Sequence, residues 1–283
     1  MLYFRHMSDN GRFQGTTRHI YAQWPGFLLR YGGLVLALLM IGAGLVLGWQ
    51  LLIALGLVLL IAGVLLLWTA LWTAHRLYDS GGLQIAEVLF DMSQAQATDP
   101  IACIDLGLRR QAIVLSRHLT TGRITVIDVY NPQLTTSAGV ARARQQAEPA
   151  LTDPRLIWYD GSINLLPLPD SSVMAVFLPQ ILSEFSQHGD RLTLLRETKR
   201  ILKSNGRILV AEQSGSRLNW LRLGPGVSRL QPAEQWRDLL VEAGFEVRRE
   251  EDLQGLMLCL RADKPSPFAG QQLPLALNYA EEF

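Results

Sequence analysis

Residues 31–74 read YGGLVLALLMIGAGLVLGWQLLIALGLVLLIAGVLLLWTALWTA, 44 positions without one charged side chain. As a single helix this run would measure roughly 66 Å, about twice the ~30 Å hydrocarbon core of a bilayer. A secretory signal needs an apolar core of only ~7–15 residues. Two spans folded back as a hairpin satisfy the length. The pattern breaks only at Gly48-Trp49-Gln50, where glycine loosens the helix and Gln50 can sit at the headgroup level. The pattern predicts spans at roughly Phe27 to Trp49 and Leu51 to Ala74, within a hairpin of residues 27–76.

Orientation follows from the flanks. Arg5, Arg12, Arg18 and Arg30 precede the first span, Arg76 follows the second, and the turn carries no charge. Excess Lys and Arg marks the cytoplasmic side. Both termini and everything after the hairpin are therefore expected in the cytoplasm, with the hairpin in the inner (cytoplasmic) membrane. Residues 1–26 read as a cytoplasmic N-terminal segment. Trp49, Trp68 and Trp72 suit interfacial anchoring, with packing inside as the alternative for Trp68. Gly44 and Gly48 form a GxxxG pair that allows close helix contact, or simply reflect how common glycine is in membrane helices.

Beyond Arg76 lie 207 of the 283 residues, enough for one domain with a sizeable core. The first 76 residues carry five Arg and one acid, a net of +4, which leaves −3 for the remainder of a chain whose total is +1. A mildly acidic domain with three lysines has no electrostatic footprint for nucleic acid. Cys103 and Cys259 sit in apolar stretches and read as small buried hydrophobes of a reducing compartment. Five scattered histidines show no metal-ligand spacing, and His188 reads as a solvated loop residue.

Helices and strands alternate along this remainder. Leu83, Ala86, Val88, Leu89 and Met92 recur at helical spacing, in a helix that Asp99-Pro100 ends. Apolar strands are expected at Ile101 to Leu106, Ile124 to Val129, Leu156 to Tyr159, Val173 to Leu178 and Arg207 to Glu212. Helices are expected at Gln111 to Leu119, Arg191 to Leu202 and Pro232 to Ala243. Phe245 to Arg248 and Leu256 to Arg261 read as a closing antiparallel pair. The alternation predicts a mainly parallel, doubly wound α/β sheet over residues 77–264. Residues 265–283, with Pro267 and Pro274, read as an extended tail that a partner can take up.

In such a sheet, ligands bind beyond the carboxyl ends of the strands, near the point where strand order reverses. Three segments fall there: Ile104-Asp105-Leu106-Gly107, then Asp128 at the end of the second strand, then Asp160-Gly161. An acid in the place of Asp128 can accept hydrogen bonds from both hydroxyls of a ribose, or be an ordinary strand-end carboxylate. Arg196, Glu197, Arg200 and Lys203 read as a solvated helix face with i, i+3 and i+4 pairing.

Residues 159–185 (YDGSINLLPLPDSSVMAVFLPQILSEF), 194–213 (LLRETKRILKSNGRILVAEQ) and 242–247 (EAGFEV) carry a resemblance. Together they are similar to the class I S-adenosylmethionine-dependent methyltransferases of the type 11-like group, in the branch that includes ubiquinone/menaquinone C-methyltransferases. The likeness runs over roughly Leu83 to Lys264 and omits the hairpin. It implies a Rossmann-like methyltransferase sheet and S-adenosylmethionine as cofactor, with Asp128 on the ribose and Asp160 with Gly161 beside the adenine. The segment after Glu212, with Arg217, Trp220, Arg222 and Arg229, would cover the substrate as a plain loop or touch the bilayer surface. The first motif departs from the family's Asp/Glu-x-Gly-x-Gly-x-Gly: here it is Asp105-Leu106-Gly107-Leu108-Arg109-Arg110-Gln111, with one glycine of three. Two arginines at a helix N-terminus oppose its dipole by ~0.3–1 kcal/mol each. Either Arg109 pairs with the cofactor's carboxylate or another anion, or Arg109 and Gln111 close the pocket and the fold serves as a scaffold.

The expected cofactor set is thus Asp105, Gly107, Arg109, Asp128, Asp160 and Gly161. No catalytic base is named, because methyl transfer is mostly alignment of nucleophile, methyl and sulfur. Two functions of different class follow. One is methyl transfer to a lipophilic, membrane-resident small molecule such as a quinone, isoprenoid or pigment precursor. The other is a catalytically silent methyltransferase-like subunit, anchored by its hairpin in a larger membrane-protein complex.

Overall fold

The computed structural model describes residues 13–79, 83–135, 137–147, 149–150, 152–215 and 230–266. The uncharged run forms two antiparallel helices, α2 (Trp24–Leu47) and α3 (Gln50–Tyr78), both long and apolar enough to cross a membrane. Their lengths of 24 and 29 residues give ~36 and ~44 Å. Gly48 ends α2 in the left-handed region at φ +69°, and the Trp49 amide closes the turn on the Gly44 carbonyl at 2.9 Å. The seam is lined elsewhere. A Cβ at Gly44 would stand 2.6 Å from Ile53, at Gly56 2.7 Å from Ile41, and at Gly63 2.7 Å from Leu34. Gly44 therefore does allow close contact, whereas Gly48 has no neighbour at all and serves the turn. Trp68 faces outward at 69% exposed, so the interior alternative for it falls away.

A helix absent from the sequence reading, α1 (Gln14–Ala22), precedes the hairpin. It is fastened to the far end of α3. The Thr16 amide and hydroxyl donate to Asp79 at 2.9 and 2.6 Å, and the His19 ring stacks on Tyr78 at 4.5 Å.

The rest is a seven-stranded sheet in the order β3-β2-β1-β4-β5-β7-β6. Its strands are β1 (Ile101–Asp105), β2 (Ile124–Asp128), β3 (Leu156–Asp160), β4 (Val173–Pro179), β5 (Leu202–Glu212), β6 (Glu246–Leu253) and β7 (Met257–Asp263). The first five run parallel, and β7 enters antiparallel between β5 and β6. Alternate residues bury on opposite faces, as parallel strands covered on both sides require. Ala102, Ile104, Val176 and Leu178 face α6 (Ala138–Gln145), α7 (His188–Ile201) and α8 (Ala233–Glu242). Ile101, Cys103, Ala175 and Phe177 face α4 (Ile85–Ser93) and α5 (Arg110–Ser116). Strand order reverses between β1 and β4, which fixes where a ligand crevice opens.

Helix α6 was not expected from the sequence, β6 runs on to Leu253 and α5 ends early at Ser116, and two further boundaries differ for reasons the contacts show. Helix α4 stops at Ser93, well short of Asp99-Pro100, because Arg207 and Arg261 from the sheet take the Ser93 and Met92 carbonyls and Gln94 turns left-handed at φ +51°. Strand β5 begins directly at Leu202, paired with Val173, bulges at 203–206 through Asn205 at φ +61°, and pairs again from Arg207.

Candidate functional site

Parallel register brings three acids side by side at the carboxyl edge: Asp105 pairs with Asp128, and Asp128 with Asp160. Each meets a different environment. Asp105 is buried and its Oδ2 accepts the Arg109 amide at 2.7 Å. Burial pushes its pKa up; the amides of Arg109, Leu106 and Leu108 oppose this, and the nearby Asp128 adds to it. Asp128 is half-buried, its Oδ1 accepting the Tyr130 amide at 3.0 Å. Asp160 is exposed.

The loop after β1 keeps left-handed turns with one glycine of the three. Gly107 sits at φ +76° and Arg109 at φ +66°, a left-handed conformation that costs a side-chain-bearing residue ~1–2 kcal/mol. The Arg109 guanidinium lies 5.9 Å from the Trp158 ring centre. Asp105, Gly107, Arg109, Asp128 and Asp160 line one cavity with Val126, Ala150, Trp158 and Tyr159. Gly161 lies behind it: its amide donates to the Asp128 carbonyl at 2.9 Å, and a Cβ there would stand 2.5 Å from Ile127. The cavity measures about 130 Å³, against ~300–1,000 Å³ for typical ligand pockets.

Two of the lining residues, Asp128 and Gly107, are also met by Arg144, near the end of α6, a residue that no motif in the sequence marks. Its Nη1 donates to Asp128 Oδ1 and Oδ2 at 2.8 and 2.6 Å and to the Leu106 carbonyl at 2.5 Å. Its guanidinium stacks 4.2 Å from the Tyr130 ring centre. A Cβ on Gly107 would collide with it. The signal available in the sequence was a pair, Arg142 and Arg144, in a short helix behind Ser137, whose hydroxyl caps it by accepting the Val140 amide at 3.4 Å.

Across the switch point, the carboxyl ends of β4 and β5 carry a second polar group. Glu212 is fully enclosed, its Oε1 accepting the Leu182 amide at 2.6 Å and its Oε2 without a partner among the described residues. Burial pushes it up to about 7, against the Ser183 and Leu182 donors, and Glu184 adds to the rise. Gln180 stands in the same place at φ +58°. The Tyr78 side chain, at the last position of α3, reaches the side chains of Gln180 and Gln213. The base of the hairpin therefore touches the carboxyl ends of β4 and β5.

The Arg196–Lys203 face is not simply solvated. Arg200 donates to the Leu166 and Leu168 carbonyls at 3.0 Å each and to Asp170 at 2.6 Å, while Glu197 accepts the Leu166 amide at 3.2 Å. The pair clamps the proline turn that follows Gly161. His188 opens α7 instead of lying in a loop, and it is exposed, 2.9 Å from Glu242. Cys103 and Cys259 are free and buried. No metal-binding group occurs among the described residues. Arg217, Trp220, Arg222, Arg229 and the tail beyond 266 lie outside them.

The seven-stranded sheet with its switch point is a Rossmann-like, methyltransferase-like fold. Residues 104–210 match the model of a family described as a methyltransferase domain. A solved 4+2 cyclase, SpnF, superposes with a TM-score of 0.52 at 20% identity, covering 67% of this chain and 83% of its own. A S-adenosylmethionine-dependent methyltransferase from Aquifex aeolicus gives 0.50 at 18% identity, covering 66% and 94%. No curated protein matches the sequence. A cyclase and a methyltransferase on one fold show that the activity has to be argued from the site.

Proposed function

We propose that this chain is a membrane-anchored methyltransferase that takes its methyl group from S-adenosylmethionine and passes it to a lipophilic small molecule such as a quinone, isoprenoid or pigment precursor. The observation that carries the reading is the in-register row Asp105, Asp128 and Asp160 beside the β1/β4 switch point, with Gly107 at φ +76° between the first two.

The chain's own residues fit the cofactor in their polar chemistry. In this reading Asp128 would accept from the ribose hydroxyls, and Asp160 lies one strand further out. Asp105 holds the loop by accepting the Arg109 amide. The cavity they line measures about 130 Å³, and a ribose on Asp128 requires Arg144 to give up that carboxylate. When bound, the cofactor supplies a sulfonium-activated methyl group, and the protein's part is to align it with the acceptor and exclude water.

Membrane anchoring rests on the hairpin's surface. In α2 the buried residues are Phe27, Ala37 and Gly44, while Leu29 is 79% and Val46 87% exposed. A contiguous apolar surface of that extent marks a partner or a bilayer. The arginine flanks support both ends of the hairpin facing the cytoplasm, in the inner membrane. The contact of Tyr78 with Gln180 and Gln213 favours an acceptor that arrives from the bilayer, because the end of α3 leads to the β4/β5 edge.

The test is methyl transfer. Full-length protein in lipid vesicles is incubated with methyl-labelled S-adenosylmethionine and a lipid extract of the native membrane, then extracted into organic solvent. Label in the organic phase, lost with Asp128→Ala, is expected. Label that stays aqueous for wild type and for Arg144→Ala alike overturns the reading and leaves the silent, complex-anchored subunit.

A further inference from the structure

Arg144 holds the carboxylate of Asp128, the acid that the cofactor reading gives to the ribose. One nitrogen contacts both oxygens of Asp128 and the Leu106 carbonyl, and the guanidinium plane covers the Tyr130 ring. A ribose offers Asp128 two hydroxyl donors; Arg144 offers the same carboxylate a charged donor, the stronger partner of the two. The two occupants exclude each other, because the guanidinium also lies over Gly107, whose bare Cα is what leaves room for a ligand against this loop.

The arginine is not an isolated surface side chain. It projects from α6, a helix of eight residues, and α6 is held from the hairpin side: the Arg142 Nε donates to the Ala22 carbonyl at 2.6 Å, at the last residue of α1. Helix α1 is in turn fixed to the end of α3 by the two Thr16–Asp79 hydrogen bonds. A continuous set of contacts thus joins the base of the hairpin to the residue that holds Asp128.

We propose that Arg144 is a built-in competitor for the cofactor, a latch on Asp128 that opens when S-adenosylmethionine binds, and that α1 sets how firmly it is held through Arg142. The proposal rests on the cofactor reading above.

The experiment is equilibrium titration of the full chain in lipid nanodiscs with S-adenosylmethionine, followed by calorimetry and by hydrogen exchange of the α6 amides. Four proteins are compared: wild type, Arg144→Ala, Arg144→Met, which keeps most of the apolar stem, and Arg142→Ala. The latch predicts affinity for both Arg144 variants higher by roughly tenfold or more, the equivalent of one charge-assisted hydrogen bond no longer displaced. It predicts a smaller gain for Arg142→Ala. It also predicts that ligand raises exchange in α6 of wild type but not of the Arg144 variants. Binding by wild type with equal or weaker binding by both Arg144 variants overturns the latch and leaves the cofactor reading standing. A gain for the Arg144 variants without one for Arg142→Ala overturns the role of α1. Absence of binding in all four overturns the cofactor reading and the latch with it.

Discussion

Replacing Glu212 by Gln isolates the energetic consequence of an acid sealed at the end of β5. The side chain is 1% exposed, with one oxygen on the Leu182 amide at 2.6 Å and the other unpartnered among the described residues. Burial moves its pKa from 4.5 up to about 7. A group whose folded pKa is raised stabilises the fold below its unfolded pKa and loses that contribution as pH rises through the folded value. The contribution of Glu212 is therefore complete below about pH 4.5, declines between about 4.5 and 7, and is gone above 7. The span corresponds to ~3 kcal/mol at 1.36 kcal/mol per pH unit. Gln keeps the shape and the acceptor for Leu182 but cannot ionise. Glu212→Gln should come closest to wild type near pH 4.5 and exceed it progressively toward pH 8, by up to ~3 kcal/mol. At ~2–4 °C per kcal/mol for a domain of this size, that is a rise of ~6–12 °C in Tm. Thermal melts of the full chain in nanodiscs, read by near-ultraviolet circular dichroism at each pH, measure it. The difference between the two proteins cancels every other titration they share. A difference that stays flat from pH 5 to 8 would refute the reasoning.

The backbone at Arg109 gives a second test: Arg109→Gly and Arg109→Ala both remove the cation near Trp158, but only Ala keeps a Cβ at φ +66°. With ~1–2 kcal/mol of left-handed strain relieved and ~0.4–1 returned to the unfolded chain, the Gly variant should melt above the Ala variant by up to ~6 °C; the reverse order would sink the strain argument. Arg200→Met keeps the stem but leaves the Leu166 and Leu168 carbonyls without their donor. A loss of ~1–3 kcal/mol in urea unfolding, with faster proteolytic nicking at 165–170, is expected, and unchanged values in both measurements would return Arg200 to an ordinary solvated face.

The strands were legible because a parallel sheet covered on both sides writes itself as short apolar, β-branched runs, as in Ile101–Asp105 and Ile124–Asp128. The acids were legible for a related reason: each ends such a run, and parallel register aligns run ends. What stayed hidden depends on contacts far apart in sequence. Helix α1 is mostly polar, reading Gln-Gly-Thr-Thr-Arg-His-Ile-Tyr-Ala, and is held by Asp79, 63 residues beyond Thr16. Arg200 does form the i, i+3 pair with Glu197 that the spacing suggested, at 2.8 Å, but its other donors cross to carbonyls more than 30 residues away. Arg144 is the extreme case. Nothing in Ala-Arg-Ala-Arg distinguishes a solvated helix end from one whose guanidinium reaches Leu106 and Asp128.

The glycine motif shows where reading residue types and reading geometry part. Loss of two glycines suggested a pocket closed by the side chains that replaced them, or an arginine recruited to the cofactor. The structure separates two things those glycines do. One is shape: the loop still passes through left-handed conformations at 107 and 109, and Asp105 fastens it from within through the Arg109 amide, so the fold imposes the turn on an arginine. The other is space, and there Gly107, the one glycine retained, is the position a guanidinium covers. Arg109 meanwhile lies toward Trp158 at the cavity wall. The side chain that holds the Asp128 carboxylate thus comes from a different helix, and it is bound there by hydrogen bonds that another set of donors can replace. A side chain of that kind can be displaced at the energy of a few hydrogen bonds, whereas a wall built from packed backbone could not.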